Sequence, residues 1–291
     1  MMSSHKNLAI LKPCMICQAQ ERVAVFSYNQ PDAYECVVGV GPEDYLRQWV
    51  RCGKCGFHYS VFSRDEDILD KIYTSSYRDQ NSDWRKVSTE EIFQKVINLP
   101  EEESETKFRI KWIKKNIQDA KRNGLITMNQ PPYRLLDIGG ATGVFAYEFQ
   151  DQEWKSCVID PGESGKFIQQ KYNIPYRQAY YQANSFPHAF DLISLVFVLE
   201  HLKDPQKILR EIRKDMSKNS FLYLEVPDAL CFQLKNSSDD IFNSCHLWMF
   251  TPNTLTMLLD QCGFEVFSLN RVKTKRGHIA LMALSIIKRT N

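Results

Sequence analysis

The stretch Leu135-Leu-Asp-Ile-Gly-Gly-Ala-Thr-Gly143 constrains this chain more than any other part of its sequence. An apolar strand runs into a turn of small residues, and a helical pattern (Val144, Phe145, Tyr147, Phe149) follows at once. Strand, glycine turn and helix in that order form the ligand-binding unit at the start of an open α/β sheet. Small residues there let a ligand approach the backbone closely. Further apolar runs at 156–159, 190–198, 221–226, 265–269 and 279–287 alternate with helical patterns at 143–150, 162–172, 205–216 and 252–262.

This alternation predicts a Rossmann-like α/β sheet, mostly parallel. Only residues 270–278 join the last two runs, too few for a helical crossover, so the final strand is expected to be antiparallel. Asp160 ends the second run, 23 positions after Asp137. From there a carboxylate can hydrogen-bond ribose hydroxyls. A dinucleotide would need a pyrophosphate at the turn and the spacing G-x-G-x-x-G. Here Gly139 and Gly140 are adjacent, position 141 is Ala, and Asp137 would repel a phosphate. A cationic ligand without phosphate, such as S-adenosylmethionine (SAM), suits the turn better.

On these residues the chain resembles the class I SAM-dependent methyltransferases. Asp137-Ile-Gly139-Gly140-Ala141-Thr-Gly143 is similar to their first motif, with Ala141 at its middle glycine. Asp160 matches their ribose-binding acid, 190–198 their fourth strand, Val198-Leu-Glu-His-Leu202 with Asp204-Pro205 the segment after it, and Gly263-Phe-Glu-Val266 the start of their sixth strand. The resemblance covers roughly 105–291. It implies a SAM site built from Asp137, Gly139, Gly140, Ala141, Gly143 and Asp160, with Phe197 at the end of the fourth strand. Gln182 and Asn184 are expected as adenine contacts.

Four of the nine cysteines form two C-x-x-C pairs, Cys14/Cys17 and Cys52/Cys55, 34 residues apart. Two thiolates from each pair complete a closed tetrahedral site, for which structural Zn²⁺ is the expected metal. Gly56 permits the tight turn after the second pair. A redox pair or chance spacing are the alternatives, His5 and His58 are substitute ligands, and Cys36 is expected as a spare buried thiol. A four-cysteine module before such a methyltransferase resembles the deoxysugar C-methyltransferases and their bacterial relatives. Trp49-Val-Arg-Cys52-Gly-Lys-Cys55-Gly-Phe-His-Tyr59 is similar to the second half of their zinc domain, and Ile72-Tyr73 to Tyr77 to their linker. No counterpart is expected here to the further C-terminal domain of those enzymes.

Methyl transfer aligns a nucleophile with the sulfonium carbon and often removes its proton. His246, His201 and Glu200 are the candidate catalytic residues. His201 and Glu200 follow the fourth strand, where packing near Asp204-Pro205 is the plainer role. His246 lies where the resemblance places a Glu-His base, with Cys245 in place of the Glu. Glu225 either points toward the ligand or ends its strand. Trp248, Phe250 and Phe232 are either acceptor-pocket linings or core. Lys273, Lys275 and Arg276 form a basic cluster in the last hairpin.

The organisation expected is a zinc-ribbon-like module over 1–62, a helical linker over 63–103 and a methyltransferase domain over 104–291. A helix near its start places Phe108, Trp112, Ile113 and Ile117 on one face. The expected acceptor is a small molecule, with a nucleotide-linked sugar methylated on C or O as the specific candidate. An RNA methyltransferase needs a basic footprint. The chain carries 37 Lys+Arg against 35 Asp+Glu, and residues 1–62 are net +1 with Lys6 and Lys12 included, so that footprint is absent. A non-catalytic scaffold of the same fold is the other alternative. No leader pattern or membrane-length apolar run is evident, only the short run 8–11, so a cytoplasmic protein with reduced thiols and no membrane partner is expected.

Overall fold

The structure, a computed structural model, describes residues 13–63, 67–75 and 87–289. His5, Lys6, Lys12, Tyr77 and the run 8–11 lie outside them. The chain divides into two units. One comprises Met1–Arg85, Glu200–Lys203 and Pro227–Met257, and the other Lys86–Leu199, Asp204–Val226 and Leu258–Asn291. The first unit thus draws on three stretches of sequence.

The first unit begins with β1 (Arg22–Tyr28), α1 (Ala33–Val37), β2 (Arg47–Cys52), β3 (His58–Phe62) and α2 (Asp67–Ser75). Antiparallel pairing joins β1 to β2 and β2 to β3. Asp32 starts α1 with a capping box. Its side chain accepts from Tyr34 and Glu35 N–H groups, and Glu35 reaches back to the Asp32 backbone.

The second unit then takes α3 (Thr89–Ile97), α4 (Glu105–Arg122), β4 (Tyr133–Ile138), α5 (Val144–Phe149), β5 (Trp154–Asp160), α6 (Phe167–Tyr172), β6 (Tyr176–Gln178), β7 (Phe190–Val196), α7 (Pro205–Asp215) and β8 (Met216–Pro227). The chain returns to the first unit with α8 (Cys231–Leu234) and β9 (Trp248–Met249). It leaves through α9 (Pro252–Gln261) and ends in β10 (Phe264–Lys273) and β11 (Ile279–Ile287). Short β9 pairs with β3, Tyr59 opposite Trp248, so the first unit's sheet runs β1-β2-β3-β9.

The second unit's sheet has the order β10-β11-β8-β7-β4-β5-β6. Its four pairings from β8 to β6 are parallel, and β10 pairs antiparallel with β11. This is the Rossmann-like sheet expected from the sequence. Central β4 is buried at every position but Arg134, as a strand covered on both faces must be. Ser104 caps α4 by accepting from Lys107 N–H, and Asp204 with Pro205 starts α7 in the same way.

The buried face of α4 is Thr106, Arg109, Ile110, Ile113, Ile117 and Ala120. Phe108, expected on that face, is 48% exposed. The stripe is rotated from the expected one because an arginine, Arg109, occupies a core-facing position. Each fully buried Ile contributes about 1.5–3 kcal/mol. In α3, Phe93 is fully buried among Tyr147, Phe167 and Tyr172, each ring centroid 5.2 Å away.

Candidate active site and cysteine centre

The carboxyl end of β4 leads into the glycine turn. Gly139, Ala141 and Gly143 all adopt left-handed backbone, with φ of 71°, 52° and 79°. A Cβ on Gly140 would lie 2.4 Å from Asp137 Oδ2, and one on Gly143 2.3 Å from Ile168 Cδ1. The packing therefore requires a bare backbone. Ala141 sustains the left-handed conformation at a cost of about 1–2 kcal/mol. Its N–H donates to Asp160 Oδ2 at 2.9 Å, and Gly162 N–H donates to Asp160 Oδ1 at 2.7 Å. Asp160 is thereby fixed at the end of β5.

Asp137 is buried. The Ser194 hydroxyl donates to its Oδ1 at 2.7 Å, while Oδ2 has no hydrogen-bond partner among the described residues. Burial pushes this carboxyl up to about 7; the Ser194 bond opposes the rise, nearby Asp160 adds to it and Arg109 opposes it. An unpartnered buried carboxylate oxygen beside a bare turn fits an ammonium donor and disfavours a phosphate. The residues present therefore fit SAM, with its amine at Asp137 and its ribose at Asp160.

Phe197 follows β7 with φ 53°; its N–H donates to Glu225 O at 2.8 Å, and the Arg109 guanidinium lies 5.9 Å from its ring centre. Asn184 is held away from the turn. Asn184 N–H donates to Asp215 Oδ1 at 2.9 Å, and so does the Tyr181 hydroxyl to Oδ2 at 2.8 Å. Asp215 precedes β8, at the amino end of the sheet, whereas the turn lies at the carboxyl end. A strand of seven residues separates the two ends by about 20 Å. Ala179, next after β6, meets the turn's acid: its N–H donates to Asp160 O at 3.1 Å. β6 is three residues long, which gives no periodic signal.

Glu225 neither reaches for a ligand nor merely ends its strand. Its carboxylate receives Arg109 Nε, Arg109 Nη2 at 2.8 Å and the Tyr223 hydroxyl at 2.7 Å, all buried. An arginine on the apolar stripe of α4 is the sequence sign of this pair. Beside it lies a cavity of 480 Å³ bounded by Glu105, Arg109, Glu225, Arg271, Lys273 and Met282. Lys275 of the basic hairpin cluster is engaged there, its backbone N–H on Glu105 and its Nζ on Glu102 O.

In the first unit, Cys14, Cys17, Cys52 and Cys55 bring their sulfurs within 4.8 Å of one another. Cys14 Sγ lies 3.5 Å from Cys55 Sγ, and Cys17 Sγ 3.5 Å from Cys52 Sγ. A tetrahedral Zn²⁺ at about 2.3 Å from each thiolate implies edges of about 3.8 Å, so the cluster fits that ion. Both knuckles turn through left-handed residues, Gln18 at φ 60° and Gly56 at φ 74°. At Cys52, burial works against ionisation, but backbone N–H groups of Cys55 and Lys54 and the Cys17 side chain bring the thiol down to about 7. His58 takes no place in the cluster; it is buried, stacked on Phe232 at 4.6 Å, and pushed down to about 4 by burial and Arg51. Cys36, expected to be buried, is exposed, because it faces outward from the short α1.

Glu200, His201 and His246 come together in the same unit, their ligand atoms within 4.8 Å of one another. His201 Nδ1 meets Cys245 O at 2.9 Å, and His246 Nδ1 meets Ile241 O at 2.7 Å. The imidazole centres are 4.7 Å apart. Phe250 is fully buried and Phe232 packs against Phe26, Trp49 and Phe242, so both belong to the unit's aromatic core. Trp248 stacks on Phe57 and donates to Leu202 O at 2.6 Å.

Residues 105–269, more than half of the chain, match the family described as the methyltransferase domain. The chain belongs to that family, and its Rossmann-like sheet is that of the SAM-dependent class. No curated protein sequence matches it significantly. Among solved structures, it is similar to the 1,6-didemethyltoxoflavin-N1-methyltransferase of Burkholderia thailandensis with bound 1,6-didemethyltoxoflavin and S-adenosylhomocysteine. The identity is 16%, over 60% of this chain and 76% of that one, at a TM-score of 0.47. A SAM-dependent methyltransferase of Clostridium acetobutylicum shows 10% identity over 69% of this chain and 98% of that one, at a TM-score of 0.48. Likenesses this distant carry nothing about the acceptor. Among the described residues, no helix is long and apolar enough to cross a membrane.

Proposed function

We propose that this methyltransferase binds SAM over Gly139–Gly143 and transfers its methyl group to a small-molecule acceptor. The observation that carries the reading is the pair of buried acids at the turn. Asp160 is oriented by two backbone N–H groups to meet the ribose, and Asp137 offers an unpartnered oxygen to the amine. Gly140 and Ala141 provide the close backbone surface, and Phe197 flanks the site. When bound, SAM supplies the electrophilic methyl. The protein's part is to fix the cofactor and to present an acceptor in line with it.

The acceptor we favour is a nucleotide-linked sugar methylated on C or O, in keeping with the resemblance of the four-cysteine module to that of deoxysugar methyltransferases. Cys14, Cys17, Cys52 and Cys55 hold a structural Zn²⁺. His246, His201 and Glu200 serve the acceptor. Each histidine Nδ1 faces a carbonyl, so each neutral imidazole keeps its basic lone pair on Nε2. Calorimetric binding of S-adenosylhomocysteine tests the cofactor site. Micromolar binding that Asp160→Ala weakens at least tenfold supports it, and no binding to the wild type rejects it. Labelled-methyl transfer from SAM to a panel of nucleotide sugars tests the acceptor class.

A further inference from the structure

We propose that Glu200, His201 and His246 form a second metal centre, holding a divalent cation such as Mn²⁺ with one carboxylate and two imidazoles. The inference begins with the tautomers. A backbone carbonyl can only accept, so the contacts of His201 Nδ1 with Cys245 O and of His246 Nδ1 with Ile241 O put the proton on Nδ1 in both rings. Each ring then has its lone pair on Nε2. A ligating histidine is commonly fixed in this way, by a carbonyl on its other nitrogen.

The three side chains converge. Their ligand atoms lie within 4.8 Å of one another, and His201 Nε2 is 4.0 Å from Glu200 Oε1. Bonds of about 2.0–2.2 Å imply tetrahedral edges of about 3.3–3.6 Å, so a shared ion draws this ring and carboxylate together by about 0.5 Å. Glu200 is fully buried and His246 is 9% exposed, so an ion between them would be largely withdrawn from water.

Hydrogen bonds hold the ligands in place before any ion arrives. Leu247 N–H donates to Glu200 O at 2.8 Å, which ties the segment bearing His246 to the one bearing Glu200. Ser244 is gripped by Asp32, through its N–H at 2.6 Å and its hydroxyl at 2.8 Å. Cys245 N–H donates to Asn243 Oδ1 at 2.8 Å. Two imidazoles and a carboxylate select a first-row divalent ion and leave coordination positions open. The four-thiolate cluster, by contrast, is closed and prefers Zn²⁺.

The open positions would take oxygen ligands, water or a hydroxyl group, and a hydroxyl bound there becomes more acidic. The metal centre does not rest on the methyl-transfer reading proposed above.

The test titrates Mn²⁺ into the full-length, zinc-loaded protein and follows free Mn²⁺ by its electron paramagnetic resonance signal. The wild type is expected to take up about one Mn²⁺ per chain, and His246→Gln, His201→Gln and Glu200→Gln to weaken uptake by about tenfold or more. S-Adenosylhomocysteine affinity, measured on the same samples, reports the cofactor site separately, and an unchanged thermal unfolding transition shows that each variant remains folded. Lost Mn²⁺ uptake with retained cofactor affinity supports the centre. No uptake by the wild type, or equal uptake by the wild type and the folded variants, overturns it. Variant-sensitive Mn²⁺ uptake without cofactor binding would leave the centre standing and remove the methyl-transfer reading alone.

Discussion

Ala141 N–H donates to Asp160 Oδ2 at 2.9 Å, and this bond holds a non-glycine residue in left-handed backbone at the centre of the glycine turn. Ala141→Gly removes the steric cost of about 1–2 kcal/mol but adds flexibility to the unfolded chain, worth about 0.4–1 kcal/mol. A net gain of about 0.5–1 kcal/mol is expected in urea unfolding. Asp160→Ala does the reverse. It strands two N–H groups and should cost about 3–6 kcal/mol, since hydrogen bonds to a charged group are worth about 1.5–3 kcal/mol each.

With the cofactor's amine at Asp137 as proposed, cofactor binding is expected to depend on pH. In the free protein its carboxyl keeps a proton up to about pH 7, whereas an unfolded aspartate loses it near about 4. Across that window the folded state holds one more proton than the unfolded state, so unfolding free energy falls as pH rises. The contribution is fully present below about pH 4 and is lost by about pH 7. Urea unfolding of wild type and Asp137→Asn across the window should show a stability difference that declines with pH and then flattens. A difference that does not change with pH counts against a buried acid. Because the amine of the ligand needs the carboxylate form, S-adenosylhomocysteine affinity should rise with pH until about 7.

Freshly purified protein should contain about one equivalent of zinc by elemental analysis. Cys17→Ser or Cys55→Ser should lower that content sharply and destabilise the first unit by several kcal/mol, because metal binding free energy there is folding free energy. Cys36→Ser, at an exposed thiol outside the cluster, should leave zinc content and melting temperature unchanged. Equal zinc content in all three variants would mean that the metal sits elsewhere.

The Arg109–Glu225 pair gives a contrast between single and double substitution. Arg109→Ala leaves a buried carboxylate without its guanidinium and should cost about 3–5 kcal/mol in urea unfolding. Arg109→Met combined with Glu225→Gln removes both charges and keeps an acceptor for the Tyr223 hydroxyl, so it should recover part of that loss. A double variant no better than the single would show that the cost lies in packing and not in charge.

Residues that act through local chemistry were the legible ones. The turn from Gly139 to Gly143, Asp137 and the paired cysteines announce themselves by spacing, because each geometry is set within a few residues. The antiparallel last strand followed from the length of one link. Features decided by distant partners were not legible. β6 is too short to show a period, so Asn184 was expected at the turn and instead meets Asp215. Phe108 looked like core until Arg109 found Glu225, 116 residues away. The pairing of β9 with β3 leaves no trace in a two-residue strand.

That pairing bears on how the protein is made. The first unit's sheet lacks its edge strand until Trp248 and Met249 emerge, and Arg47 and Trp49 wait for the Phe242 carbonyl they both donate to. At about 5–20 residues per second, synthesis separates β3 from β9 by some tens of seconds. During that interval the cysteine knuckles are on the ribosome with an open strand edge. The nascent chain therefore depends on cover for that edge, and a truncation that ends before residue 242 should yield an aggregating N-terminal fragment.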